Sequence, residues 1–516
     1  MNGATLEILW SNVINIVNEQ AKVLQRTAFS SIVRDAGDLA CALFDVRGRM
    51  VAQSVTGTPG HINSLAFCGG HLVDRFPPET LLPGDVLITN DPWLGAGHFF
   101  DITILTPVFR AGRLFAFFGS TIHHTDVGGY GHGAGARDVY QEGLWIPPLK
   151  LYRGGIMDEV LSAMIRQNVR MPAQLFGDLS AQVSSARVAG EGLLALLERQ
   201  GLLDLVELSD DIICRSEAAM RSAIRKIPAG VYSGVTEFDV PGGETIRLNV
   251  ALTVDAESGD ITIDFGGSSP AAPIGINVCM NYTHAYGTFA VTSCLAPDLP
   301  NNHGSLAPIH VVAPVGSIVN CQPPAPVNAR HVVGMYVPMP ILKALAKCIP
   351  DKVIAESSGA SWAFHVYGSR ADGSPFIQFW GASGGMGARK HKDGLSATKY
   401  PTGVSVQPIE IIEAASPVLF IEKQLRRGSG GAGKSRGGDG QSLKFKVLGG
   451  HSWVFDAVLS RMSDGPEGLD GGGDGRPGSF LINGKPVPAR DQVHKISMGS
   501  DDIVECQTPG GGGYGH

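Results

Sequence analysis

Between residues 5 and 29, Leu6, Leu9, Trp10, Val13, Val17, Ala21 and Leu24 fall three or four positions apart, which places apolar side chains along one face of a helix. The pattern then changes. Cys41–Ala52 is an apolar run broken at Arg47-Gly48, predicting two strands and a turn. Ile102–Phe109 and Leu114–Gly119 predict a hairpin that turns at Ala111-Gly112. Helical spacing returns over 159–168, 173–199 and 209–226, punctuated by Pro172, Gly201 and Pro228. Strands are predicted at Val231–Phe238, Ile246–Val254 and Ile261–Phe265, with a further helix at Val337–Cys348. From Gly428 onward, strands alternate with glycine-rich loops. These elements predict an α+β chain, a mixed multi-layer fold. Its expected parts are a site-bearing hairpin region over 1–155, a helical middle over 156–228, and a β-rich, glycine-rich region over 229–516.

Composition narrows the picture. The chain has 516 residues, 43% of them hydrophobic and 17% charged, as in an ordinary globular protein that can bury a sizeable core. A net charge of −7 offers no electrostatic case for nucleic acid. The stretch Phe265–Ala329 holds one formal charge, Asp298, but prolines and asparagines interrupt it before a span of about 20 apolar residues can form. No membrane segment and no secretory signal are expected, and eight scattered cysteines without a CxxC pair suit a reducing, cytoplasmic setting. The 68 glycines follow no collagen period.

Candidate chemistry sits at the ends of the predicted hairpin. Gly97-His98-Phe99-Phe100-Asp101 precedes its first strand, and His123-His124-Thr125-Asp126-Val127-Gly128-Gly129 follows its second. Antiparallel pairing would bring Asp101 and His123 together, since residues flanking a hairpin base lie opposite each other. Neutral imidazole with carboxylate suits Zn, Mn or Fe in a site with an open position, so His98, Asp101 and His123 are expected metal ligands. Asp38 is a weaker candidate fourth ligand, alternatively a turn carboxylate. His61 either lines the same pocket or is structural. His124 is the candidate for proton transfer, and Asp126 for orienting an imidazole. An anion-binding nest built on the glycines is the competing account.

Gly428-Ser429-Gly430-Gly431-Ala432-Gly433-Lys434-Ser435 matches the P-loop pattern GxxxxGK[ST]. The glycines that follow, in Arg436-Gly437-Gly438-Asp439-Gly440, would destroy the helix that pattern needs, so a structural glycine loop is expected. No nucleophile elbow GxSxG accompanies a strand-to-helix junction. Cys41 reads as part of a buried, inert strand.

Several motifs in order resemble the hydantoinase B (HyuB) family, which includes the B-type subunits of N-methylhydantoinases and lactamases, the C-terminal half of 5-oxoprolinases, and subunits of acetone and acetophenone carboxylases. They are Arg26–Ser30, Asp38–Asp45, Thr89-Asn90-Asp91-Pro92 through His98 and Asp101, His123–Gly129, Glu142–Pro148, Asp264–Gly267, Ser429–Gly440 and Pro509–Gly513. The resemblance implies a division of labour. A HyuA-like, A-type partner binds ATP and phosphorylates a carbonyl oxygen of the substrate, and the B-type chain completes the reaction in a hetero-oligomer. It also implies a metal held by a His-x-x-Asp pair and a later histidine, here His98, Asp101 and His123, with a carboxylate near Asp38. Many relatives approach the first ligand through Gly-Gly-Thr-His, whereas this chain has Gly95-Ala96-Gly97-His98. The implied substrate is a cyclic amide such as a hydantoin, 5-oxoproline or another lactam. The alternatives are a ketone in a carboxylase, or a scaffold role with a structural metal.

Overall fold

The computed structural model describes residues 3–449, 452–488 and 495–516. Its first sheet comprises β1 (Leu39–Phe44), β2 (Met50–Gln53), β3 (Val86–Thr89), β4 (Asp101–Arg110), β5 (Arg113–His123), β6 (Leu149–Arg153) and β7 (Ile156–Met157). They lie in the order β2-β1-β5-β4-β3-β6-β7, every neighbour antiparallel. Alternate residues of β1 feed two cores. Leu39, Cys41 and Leu43 pack with helices Gly3–Thr27 and Pro172–Arg199, while Ala40, Ala42 and Phe44 pack with helix Pro59–Arg75. A strand covered on both faces shows an unbroken apolar run instead of alternation, as this one does.

The hairpin forms where the sequence places it, and its register sets Asp101 directly opposite His123. Helices Glu159–Asn168, Pro172–Arg199 and Val206–Ile224 match the periodicity. Helices Pro59–Arg75 and Met280–Leu295 were not among the expected elements. The second lies inside the nearly uncharged stretch and is buried around most of its circumference, so it has no polar face to generate a period. Among the described residues no helix is long and apolar enough to cross a membrane.

A second sheet, in the order β11-β10-β9-β8, is formed by β8 (Gly230–Asp239), β9 (Thr245–Asp255), β10 (Asp260–Asp264) and β11 (Ile309–Val312). The C-terminal strands are β12 (Ser361–Ser369), β13 (Pro375–Ser383), β14 (Val418–Arg426), β15 (Gly440–Val447), β16 (Trp453–Val458), β17 (Ser479–Ile482), β18 (Lys485–Pro486), β19 (Ile496–Met498) and β20 (Val504–Gln507). They make two sheets, β13-β12-β16-β19 and β14-β15-β20-β17-β18, which enclose Trp362, Phe364, Trp380, Phe445 and Phe455.

Beside these sheets, glycine segments from four parts of the chain bond to one another through backbone alone. Gly438 N–H donates to Met386 O at 2.9 Å, Gly511 N–H to Gly438 O at 2.9 Å, Gly431 N–H to Gly511 O at 2.8 Å, and Gly513 N–H to Gly473 O at 2.9 Å. A Cβ on Gly437 would stand 1.9 Å from Gly511 O, and one on Gly385 1.9 Å from Gly438 O. Only glycine permits chains to pack so closely, as in collagen. The run Gly428–Ser435 belongs to this bundle. No helix starts at Lys434; Ser435 instead bridges to Tyr514.

Candidate metal centre

Three chain segments deliver the three expected ligands. His98 sits in the connection from β3 to β4, Asp101 opens β4, and His123 closes β5. Gly97, at φ +87°, allows that connection to lie against Arg330, whose Cδ would be 2.6 Å from a Cβ at position 97. The Asp101 carboxylate is fully buried and has four neighbours. Oδ1 lies 2.9 Å from His98 Nε2 and 3.0 Å from His123 Nδ1. Oδ2 lies 2.8 Å from His61 Nε2 and also meets the Arg330 guanidinium. Burial alone would raise the Asp101 pKa. His61 and Arg330, with the bond from His123, instead hold it well below the usual carboxylate range.

The donor set fits a divalent cation. His98 Nδ1 is 2.9 Å from the Asn328 carbonyl, which only accepts, so Nδ1 carries the proton and Nε2 presents a lone pair. Burial and Arg330 lower the His98 pKa to about 4, which keeps the ring neutral. Its Nε2 is close to Asp101 Oδ1 yet makes no hydrogen bond. Two lone pairs thus face each other in a space closed to water. His98, Asp101 and His123 each present one donor atom within 4.8 Å of the others, the one such trio among the described residues. Imidazole, imidazole and carboxylate match Zn, Mn or Fe, and a carbonyl holding the remote ring nitrogen is the usual support for a ligating histidine.

Asp38 stands one imidazole away from Asp101 rather than beside it. His61 Nδ1 is 3.3 Å from Asp38 Oδ1, while its Nε2 faces Asp101. Burial works against a charged His61, but the carboxylates of Asp101 and Asp38 outweigh it and raise its pKa. Asp38, His61, His98 and His123 line one cavity, together with His132, Arg330 and His331.

His124 and Asp126 are placed elsewhere. Successive residues of extended chain point to opposite sides, and His124, the neighbour of His123, is buried near Asp178 of helix Pro172–Arg199. Burial pushes its pKa down to about 4, and neither ring nitrogen has a protein hydrogen-bond partner. It is not among the cavity-lining residues, so the expected proton-transfer role finds no geometry there. Asp126 accepts hydrogen bonds from the Arg170 guanidinium at 2.9 Å, Met171 N–H at 3.0 Å and Gly128 N–H at 3.1 Å. Its oxygens tie two loops together and orient no ligand ring; Asn328 does that for His98.

Several site residues escaped the sequence reading. Glu142 Oε1 accepts from Val327 N–H at 2.7 Å and Asn328 N–H at 2.8 Å, and so fixes the carbonyl that holds His98. Burial raises Glu142 to about 8. Arg330 did leave a signal. It is the first Lys or Arg after Arg247, a lone cation closing a nearly neutral stretch. His132 and His331 carried no local pattern.

A profile of the family described as Hydantoinase B/oxoprolinase matches residues 2–516. The chain belongs to the hydantoinase B/oxoprolinase family. A Pseudomonas sp. member, provisionally named as the B-type component of a D-/L-hydantoinase, is 30% identical over 99% of this chain and 90% of its own length. The crystal structure of an ATP-dependent caprolactamase from Pseudomonas jessenii superposes on this chain with a TM-score of 0.91 at 26% identity, covering 100% of this chain and 91% of the other. A nucleotide-free acetone carboxylase shares the fold, with a TM-score of 0.88 at 18% identity over 99% of this chain and 75% of the other.

Proposed function

We propose that this chain is the B-type subunit of an ATP-dependent cyclic-amide hydrolase, opening a hydantoin, 5-oxoproline-like or other lactam ring activated by a HyuA-like partner. The observation that carries the reading is the His98–Asp101–His123 trio, whose three donor atoms lie within 4.8 Å of one another, with His98 and His123 lining one cavity. The likeness to a caprolactamase over the whole chain favours amides over ketones.

An amide is a poor electrophile, and phosphorylating its oxygen with ATP makes the ring carbon attackable. The glycine run of this chain lacks the helix that a phosphate-binding loop needs, which supports nucleotide binding by the partner. A divalent ion at the trio would supply Lewis acidity and an activated water near neutral pH. The protein's own residues set the conditions. The Asn328 carbonyl fixes the His98 tautomer, and Arg330 balances the charge of Asp101. Tyr282 lies under that guanidinium at 4.0 Å.

The test uses the chain with its ATP-binding partner, elemental analysis, and a panel of lactams and ketones with and without ATP and bicarbonate. ATP-dependent ring opening without bicarbonate is the expected result, and His98→Ala should lose bound metal and cut ring opening by about a hundredfold or more. Substrate loss that requires bicarbonate would move the chain to the carboxylases. Full ring opening by a metal-free His98→Ala protein would overturn the proposal.

A further inference from the structure

Lys399 is buried, at 5% exposure, on the segment that follows β13. Its side chain lines the same cavity as Asp38, His61, His98 and His123. A gap in β13 accommodates it. Gly381 pairs with Ala363 of β12 and carries no side chain; a Cβ there would stand 2.6 Å from Lys399 Nζ and 3.0 Å from Cε.

The ammonium has no partner of its own. Among the described residues Nζ makes no ion pair and no protein hydrogen bond. Arg330, the other lysine or arginine of the cavity, is committed to Asp101 and to the Ala96 carbonyl. Burial lowers Lys399 to about 8, with Asp38 opposing, so the group still carries its charge at neutral pH. A buried ammonium without an ion-pair or hydrogen-bond partner costs stability that a Met or Leu of similar volume would not. Such a group is explained when the missing negative charge arrives with the ligand.

We propose that Lys399, admitted by the gap at Gly381, is an oxyanion subsite of this cavity, receiving a phosphoryl or carboxylate group of the reactant. The identity of that reactant rests on the function proposed above, where a partner-phosphorylated ring brings phosphate and a 5-oxoproline-like ring brings a carboxylate. The subsite itself does not.

Calorimetric titration of the full chain with inorganic phosphate and with acetate, before and after chelation of metal, tests it without turnover. Lys399→Met and Gly381→Ala should weaken anion binding by about tenfold or more, because one charge-assisted hydrogen bond is lost or displaced, while Lys399→Arg stays within about threefold. Phosphate binding alone assigns the phosphoryl group, and acetate binding alone assigns the carboxylate. Equal affinities in wild type and Lys399→Met overturn the proposal, as does binding that vanishes on chelation and ignores Lys399. Should the variants fail to fold, acetylation of Lys399 in the wild-type chain, read by mass spectrometry, must slow when phosphate or acetate is present; an unchanged rate with both overturns it equally. A chain that binds anions through Lys399 yet opens no lactam refutes only the earlier reading.

Discussion

A carboxylate with no exposure must have its charge answered, and Asp101 is answered by the His61 and His123 rings and the Arg330 guanidinium. Asp101→Asn keeps the shape but leaves Arg330 buried without its counter-charge. The expected loss of stability is about 3–5 kcal/mol, measured by urea unfolding. His98→Ala removes a ligand without stranding a charge and should cost clearly less in the same assay. Glu142 adds a pH signature. The folded chain holds its proton up to about pH 8, whereas the unfolded chain releases it near the ordinary value of 4.5. Its contribution is therefore complete below 4.5 and drains away as pH rises towards 8. Glu142→Gln should lose stability less steeply than wild type between pH 5 and 8. Parallel slopes for the two proteins would show that Glu142 is not protonated in the fold.

Elements place these residues, and some elements were easier to read than others. The hairpin was legible because its apolar runs and its Ala111-Gly112 turn fix the register, and register alone sets Asp101 against His123. His98, three residues before the strand, came with it. Closeness in sequence suggests roles for His124 and Asp126, but alternation along an extended chain sends His124 away from the cavity. Arg330, Lys399 and Asn328 reach the site from 200 or more residues away (229 separate Arg330 from Asp101), and no local period records such contacts. Helix Pro59–Arg75 carries His61 and seats on β1 through Gly69, where a Cβ would come 2.4 Å from the buried Phe44 ring. Gly69→Ala should destabilise by about 1–3 kcal/mol in spite of alanine's better helix propensity. Under the proposed function it should also weaken metal retention by drawing His61 from Asp101. Thermal melts and metal titration check both effects, and an unchanged Tm would mean that the helix is free to shift.

At the scale of the whole molecule, the α+β character and the glycine-rich C-terminal half were visible in the pattern of apolar runs and in composition. The joining of the glycine runs was not, because backbone-to-backbone packing leaves no side-chain signature. Gly437→Ala puts a methyl group 1.9 Å from Gly511 O, with backbone on both sides and nothing flexible to yield. Destabilisation of about 3 kcal/mol or more is expected, read as a lowered Tm and poor recovery of folded chain. This half of the molecule supplies part of the cavity wall, through Trp362, Phe379 and Gly381. Damage among the glycines should therefore reach the candidate metal centre, whose His98, Asp101 and His123 all lie before residue 124.

The glycine bundle also constrains how the protein is made. Residues 510–513 bond to Glu356, Ala388, Gly431 and Gly438, so they run through the middle of the assembly rather than along its edge. While a ribosome is still adding residue 500, those earlier segments can bond only to water where residues 510–513 will later lie. The glycine bundle of the C-terminal half is completed only when residues 510–513 have been made. During synthesis the first sheet can therefore settle well before the wall that finishes its cavity.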